Sequence, residues 1–407
     1  LEQIAGLSII GGGPAGLRAA EVAAQSGMKV TLFDAKPSVG RKFLIAGKGG
    51  LNLTHSETLE RFVKRYSAQG TTDIFWTSLL SGFDNTALRS WAKNLGIETF
   101  IGTSGRVFPK EFKAAPLLRR WVERLRFLGV HFATNHKLVG IVKNDDRFTL
   151  EFQQHRDKTT IVTDAVILAL GGGSWPETGS TGEWVTLLHG LGIAVTPLTS
   201  ANCGWEVNWN PDILHEAEGL PLKNIAVTAG EKTISGELLI TRYGLEGGAL
   251  YQLGATLRSL ENPSLTLDLK PSFNAEELAL KIQHASADLL DAALKSWKLS
   301  PAGASLLKHF IDHHAINTPL ALAKAAKRIT IPLTAPRSLA EAISSAGGVP
   351  FSELDDSLMM KQLPGLFVAG EMMDWEAPTG GYLLQGCFAT GTRAAKGAIA
   401  YLENKQS

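Results

Sequence analysis

Gly11, Gly13 and Gly16, with Asp34 twenty-three residues beyond the first, carry the richest chemical meaning in this 407-residue chain. They stand in Leu-Ser-Ile-Ile-Gly-Gly-Gly-Pro-Ala-Gly-Leu-Arg, an apolar run that enters glycines, then a small-residue helix, then Val-Thr-Leu-Phe-Asp. Glycine at 11 permits a sharp turn, at 13 it lets a pyrophosphate approach the backbone, and at 16 it lets the helix pack closely on the strand. Pro14 and Ala15 open that helix, whose N-terminal dipole faces the phosphates. Asp34 sits where a carboxylate accepts both hydroxyls of an adenosine ribose and repels a 2′-phosphate. The pattern predicts an adenine-dinucleotide site.

The loop from Ala35 to His55 carries Lys36, Gly40, Arg41, Lys42, Lys48, Gly49 and Asn52 without helical period. Long irregular loops in compact domains are usually functional. Arg41 and Lys42 are expected to neutralise the pyrophosphate, and the glycines to bring backbone N–H groups to a flavin end. Near the other end of the chain, Gly365-Leu-Phe-Val-Ala-Gly-Glu closes a strand on Gly370 and Glu371. Glu371 is placed to bond ribityl hydroxyls. Gly380, Gly381, Tyr382 and Leu383 then open a helix whose N–H groups suit the pyrimidine edge of a flavin, where charge accumulates on reduction.

The elements that must position these residues are legible in outline. Val130 to Phe152 alternates as short strands, a β-meander over the adenine that includes Leu138. Ala165-Val-Ile-Leu-Ala-Leu is a strand apolar on both faces that returns the chain to a parallel sheet and ends at Gly171. Pro176 blocks an immediate long helix, so no second nucleotide fold follows, and Thr178 to Gly182 is expected in the cofactor cleft. The expected organisation is a cofactor domain over 1–195, an inserted antiparallel β domain over 196–273, an inserted helical domain over 274–335, and the cofactor domain completed by 336–407.

Composition narrows the class. A formal net charge of +1 gives no global field for nucleic acid or membrane, and no uncharged apolar run reaches the roughly 20 residues of a spanning helix. Cys203 and Cys387 form no CxxC pair, which excludes a redox-disulfide reductase and a cysteine-rich zinc site. A reducing cytoplasm is the expected compartment, and the early cofactor loop leaves no room for a signal peptide. His313 and His314 are adjacent and do not face one site, so no metal is expected. Between Arg106 and Arg126, Arg106, Lys110, Lys113, Arg119, Arg120, Arg124 and Arg126 interleave with Phe108, Phe112, Trp121 and Phe127. One reading is a phosphate-tracking surface; the other, favoured, is a helix with its aromatics buried and its cations wet.

Taken together, Gly-Gly-Gly-Pro-Ala-Gly-Leu, Gly-Arg-Lys-Phe-Leu, Gly-Gly-Leu-Asn-Leu-Thr, Gly-Gly-Ser-Trp-Pro-Glu-Thr-Gly-Ser-Thr-Gly, Ala-Gly-Glu-Met-Met-Asp and Thr-Gly-Gly-Tyr-Leu-Leu-Gln span the chain. This ordered set resembles the bacterial HI0933-like flavoprotein family, also called the BaiN or RdsA group. The resemblance implies an α/β, two-dinucleotide-binding-domain flavoprotein: a Rossmann-like domain holding noncovalent FAD, with an inserted β-barrel and helical domain. Activities ascribed to members diverge: reduction of unsaturated bile-acid intermediates, oxidation of aminoacetone, and dihydrouridine synthesis in ribosomal RNA. The chain also departs from the family pattern. Ala46-Gly-Lys48-Gly-Gly50-Leu51-Asn52 replaces Ser-Gly-Gly-Gly-Arg-Cys-Asn, and Ile240-Thr-Arg242-Tyr243-Gly-Leu-Glu246-Gly-Gly248 replaces Phe-Thr-His-x-Gly-x-Ser-Gly-Pro. The cofactor motifs survive while the cleft motifs drift, which points to a different substrate.

The resulting expectation is an FAD-dependent oxidoreductase moving hydride between flavin N5 and a small molecule, with NADH or NADPH as a transient reductant. Lys48, Tyr243 and Tyr382 are the candidate catalytic residues, the tyrosines as proton donors. An RNA-modifying reductase and a non-enzymatic flavin sensor or assembly protein stand as alternatives; oligomeric state has no signal in the sequence.

Overall fold

The computed structural model describes residues 2–3, 6–46, 49–284, 288–312 and 316–406. Lys48 and the His313–His314 pair lie outside these. The chain divides into two compact units, Leu1–Thr199 with Ser344–Ser407, and Ser200–Ile343.

The first unit is built on a five-stranded parallel sheet. Its strands run in the order Leu366–Val368, Ala165–Leu168, Leu7–Ile10, Val30–Asp34, His131–Thr134. One row across it reads Phe367, Ile167, Ile9, Leu32, Phe132, and the first four are buried. Strands covered on both faces need apolar residues at every position, which explains why these segments lack alternation. Leu7–Ile10 has its successor on one side and a much later strand on the other, so the order reverses there. In open α/β sheets such a switch point leaves a crevice at the carboxyl ends of the strands.

Two helices close one face through small residues. Pro14–Gln25 packs on its own strand because a Cβ on Gly16 would lie 1.9 Å from the Gly11 carbonyl oxygen. The 25-residue helix Tyr382–Gln406 approaches as closely: a Cβ on Gly391 would lie 2.3 Å from the Ala15 carbonyl oxygen. A second sheet, Lys137–Asn144, Arg147–Gln154 and Asp157–Thr163 with Glu2–Gln3 at its edge, forms the meander. Thr54–His55, Arg106–Pro109 and Thr99–Ile101 make a third, antiparallel one.

The second unit has a six-stranded antiparallel sheet, ordered Trp205–Glu206, Gly244–Glu246, Lys232–Thr241, Pro221–Ala229, Ser264–Asp268, Ile329–Pro332. Its helices share one apolar core with that sheet: Leu222, Val227 and Leu267 belong to the same cluster as Trp297, Leu306 and Leu322. Among the described residues no helix is long and apolar enough to cross a membrane.

The Arg106–Arg126 stretch divides differently from its sequence reading. Trp121 is fully buried on the helix Ala114–Phe127, but Phe127 is 90% exposed and Phe112 is exposed as well. Phe127 is the last residue of its helix, where the buried stripe has run out of neighbours. Nor are all the cations free: Arg120, though exposed, donates to the carbonyls of Leu95 and Gly96, and half-buried Arg124 to Asn94 O, at the end of the helix Asn85–Asn94. Orphan carbonyls at a helix C-terminus make good acceptors for cations.

Candidate functional site

The crevice at the switch point is a cleft of about 900 Å³ within the first unit. Gly11, Gly13, Pro14, Ala15, Asp34, Ala35, Lys36, Gly40, Arg41, Lys42, Leu138, Gly171, Gly370 and Glu371 all line it. So do Thr178, Gly179, Ser180 and Thr181. Gly16 lies beneath, where it sets the helix against the strand.

The turn at Gly11 needs glycine for the protein's own sake: its φ is +110° and a Cβ would lie 2.2 Å from Ala169 O. Gly13 is the opposite case. Its φ is −78°, an ordinary value, and a Cβ there would meet no protein atom within 4 Å. Nothing in the fold forbids a side chain at 13, so the space it would fill lies open to the cleft. No side chain caps the helix that starts here, its first turn carries no acid, and Pro14 contributes no N–H. Its remaining free N–H groups and dipole favour an anion. The Ser180 hydroxyl is buried with no hydrogen-bond partner, and it too lines the cleft. A phosphate-bearing, hydroxyl-rich ligand fits this lining.

Asp34 accepts from Gly12 N and Lys36 N, each at 2.8 Å, which holds its carboxylate at the strand's end. Burial raises its pKa; the two N–H bonds and the charges of Arg41 and Lys36 oppose that rise. Beside it the His136 ring lies edge-on to Phe33, with Nδ1 2.7 Å from Thr134 O. Lys42 is not free: its Nζ donates to Glu371 Oε2 at 2.7 Å and to Ser174 Oγ at 2.8 Å. The Cys387 thiol faces the same cleft and is held protonated by burial and by the Glu371 charge.

Gly49, Asn52, Gly380, Gly381, Tyr382 and Leu383 do not line this cleft. Gly381, with φ +93°, lies so close to Thr54 that a Cβ would come within 2.5 Å of Thr54 Cα. That contact brings the 49–55 loop to the N-terminus of the last helix, and Thr54 Oγ1 donates to Gln385 Oε1 at 2.8 Å. Gly49 is exposed, Leu383 half-buried, and the Asn52 Oδ1 is buried with no hydrogen-bond partner. The Tyr382 hydroxyl donates to Glu57 Oε1 at 2.6 Å, and Glu57 takes a bidentate bond from Arg65 at 3.0 Å. Burial and the bond to Glu57 both raise the Tyr382 pKa, so the hydroxyl holds its proton tightly. The Tyr66 hydroxyl fixes the Tyr382 carbonyl at 2.6 Å.

In the second unit, Tyr243 donates to Glu246 Oε2 at 2.6 Å and carries the Arg337 guanidinium 4.5 Å above its ring. Burial, then Glu246, raises its pKa as well. Tyr251, near Glu246, is pushed up to about 12, first by burial. Among the described residues no cluster of His, Cys, Asp or Glu could hold a metal ion.

Sequence reasoning missed Ser174, His136, Cys387, Glu57 and Arg65. Ser174 and His136 adjoin segments already singled out, and that adjacency was the available signal. Glu57 and Arg65 had none, because their importance lies in a partner more than three hundred residues away.

The HI0933-like protein Rossmann domain matches residues 6–397 of the chain. The 3-dehydro-bile acid Δ(4,6)-reductase of Clostridium scindens is 25% identical over 96% of this chain and 98% of its own length. The ribosomal RNA dihydrouridine synthase of Escherichia coli is 24% identical over 96% and 97%. Among solved structures, a 3-ketosteroid-Δ4-(5α)-dehydrogenase from Rhodococcus jostii RHA1 superposes with a TM-score of 0.52 at 15% identity, over 98% of this chain and 97% of that one. A flavocytochrome c3 fumarate reductase gives 0.52 at 14% identity, over 98% and 78%. These structural likenesses speak to the fold.

Proposed function

The chain belongs to the HI0933-like family of flavoprotein oxidoreductases, and we propose that it binds FAD noncovalently in the cleft of its first unit and transfers hydride to or from a small molecule. In this reading Asp34, Ala35, Lys36, His136 and Leu138 receive the adenosine, and Gly11 to Ala15 with Gly40 and Arg41 receive the pyrophosphate. Gly171, Gly370 and Glu371 take the ribityl chain, and the ring extends past the cleft lining to Gly49, Asn52 and Gly380 to Leu383. The observation that carries it is Gly13, where the fold tolerates a side chain and only a ligand against the backbone would not.

When bound, the flavin supplies hydride chemistry at N5. The residues' own contributions are positional and electrostatic. The first turn after Gly381 directs N–H groups at developing negative charge. Tyr382, tied to Glu57, keeps that turn rigid, and Asn52 offers its unpartnered oxygen to a donor. Tyr243 and Tyr382 stand as the proposed proton donors, each bonded through its hydroxyl to a half-buried carboxylate, Glu246 and Glu57. Lys48 remains a candidate partner for an anionic substrate. NADH or NADPH is the proposed reductant and the cytoplasm the proposed compartment.

The test is the purified protein itself. A yellow protein whose flavin leaves on denaturation as FAD supports the reading; colourless protein that takes up no added FAD sinks it. Anaerobic reduction by NADH and NADPH, then mixing with oxygen or an unsaturated acceptor, separates an oxidase from a reductase.

Two relatives bear the name ribosomal RNA dihydrouridine synthase, which keeps an RNA substrate as a second reading. Because Arg120 and Arg124 serve the fold, the exposed Arg119 and Arg126 are the residues to neutralise. Salt-sensitive RNA binding lost in that double variant supports it, and unchanged RNA affinity removes it.

A further inference from the structure

We propose that Lys42 is a positioning residue that neutralises and aims the Glu371 carboxylate, and is not a ligand of the phosphates. The inference rests on the FAD reading above and deepens it.

Lys42 leaves the helix Arg41–Ala46 and crosses the cleft wall to reach Glu371, 329 residues away, in the turn Gly370–Met372. A lysine ammonium has three donors, and two are spent here, one on a carboxylate. Lys42 and Glu371 are both mostly shielded, with side-chain exposures of 26% and 13%, so the pair forms largely out of water. At contact distance the two charges cancel for any third group some way off, and the pair offers a pyrophosphate almost no net attraction. Arg41 is different. It is exposed, it approaches Ser38 Oγ at 3.5 Å, and it acts on Asp34 through space, so its donors are available to phosphates.

The arrangement also answers how a carboxylate comes to line a cleft built for an anion. Alone, Glu371 would repel two phosphate charges; paired with Lys42 through Oε2, it keeps its remaining lone pairs for hydroxyl donors such as those of a ribityl chain. Ser174 fixes the ammonium from the other side, so the carboxylate is held in one orientation. The neighbouring Cys387 thiol, kept protonated, adds no competing anion.

The full-length protein, stripped of flavin, is titrated with FAD by flavin fluorescence and with ADP by calorimetry. Lys42→Met is expected to weaken FAD at least about tenfold, since it strands a shielded carboxylate beside the phosphates. Glu371→Gln weakens FAD but does not weaken ADP, which has no ribityl chain and meets a Lys42 charge no longer cancelled. The deciding comparison is unsubstituted protein against K42M/E371Q, with ADP as the ligand. The pair carries no net charge, so removing both members together should leave ADP affinity within about twofold. A tenfold loss of ADP in the double variant would make Lys42 a phosphate ligand and overturn the proposal. Ser174→Ala keeps both charges and offers a milder check: FAD weakens a few-fold with ADP unchanged, and an unaltered FAD affinity counts against the proposal. Unsubstituted protein that binds ADP and no FAD would instead defeat the FAD reading.

Discussion

The indole N–H of Trp121 donates to the carboxylate of Glu21 at 3.1 Å, joining two helices a hundred residues apart. Glu21 lies on the helix that follows the glycine turn and is wholly buried, yet Trp91 Nε1, Arg18 and Arg124 also donate to it, at 2.8, 3.1 and 3.2 Å. A buried charge persists only when paired and hydrogen-bonded, and here four donors meet it. Arg18, itself buried, is stranded if Glu21 goes. Glu21→Ala should therefore cost about 3–5 kcal/mol of stability. Urea unfolding measures it, and a loss under about 1 kcal/mol would show that the network is dispensable.

Gly11 and Gly13 should respond oppositely to alanine. At 11 the new Cβ runs into Ala169 O with φ at +110°, so Gly11→Ala should lower the melting temperature sharply whether or not ligand is present. At 13 the Cβ meets nothing. Gly13→Ala should melt like the unsubstituted apoprotein and bind FAD at least about tenfold more weakly, since its methyl intrudes on a ligand at the backbone. Equal stability losses at both positions would refute the distinction.

Glu57 gives a pH prediction. Burial pushes its carboxyl up, but the bonds from Arg65 and Tyr382 outweigh that and leave it below the ordinary 4.5. A depressed folded pKa means the unfolded chain binds the proton more readily, so this stabilisation is complete above pH 4.5 and disappears as pH falls through the lower folded value. The melting temperatures of unsubstituted protein and of Glu57→Gln should differ most near neutrality and converge below pH 4.5. A gap that stays constant with pH would mean that the ionised form of Glu57 contributes nothing.

Trp121 and Phe127, six positions apart on one helix, make a matched pair. Trp121→Ala removes a fully buried indole that stacks on Phe388 and should cost about 3–5 kcal/mol, whereas Phe127→Ser should stay within about 0.5 kcal/mol. A large loss at Phe127 would show that it is covered in solution.

The dinucleotide turn, its strands and its acid were legible because each is a local pattern: glycines that a turn demands, a buried strand's unbroken hydrophobicity, a carboxylate at a fixed spacing. The return of Gly370 and Glu371 to the same cleft was legible too, since a second strand ending in glycine and an acid repeats the logic. The pairing of Lys42 was not legible. A cation in a glycine-rich loop suits a phosphate as well as a carboxylate, and nothing nearby in the chain betrays its bond to Glu371. Phe127 misled, because helical period shows which face a residue shares and not where that face loses its neighbours.

The amino-acid order alone determined where backbone must bend sharply or be approached closely, and which strands lie in the middle of a sheet, because those requirements act over a few bonds. Only the tertiary structure decided which charged and polar groups are spent on one another. Lys42 with Glu371, Arg124 with Glu21 and Glu57 with Tyr382 each join residues from 103 to 329 positions apart. Electrostatic pairing depends on distance through space and on shielding from water, and folding sets both.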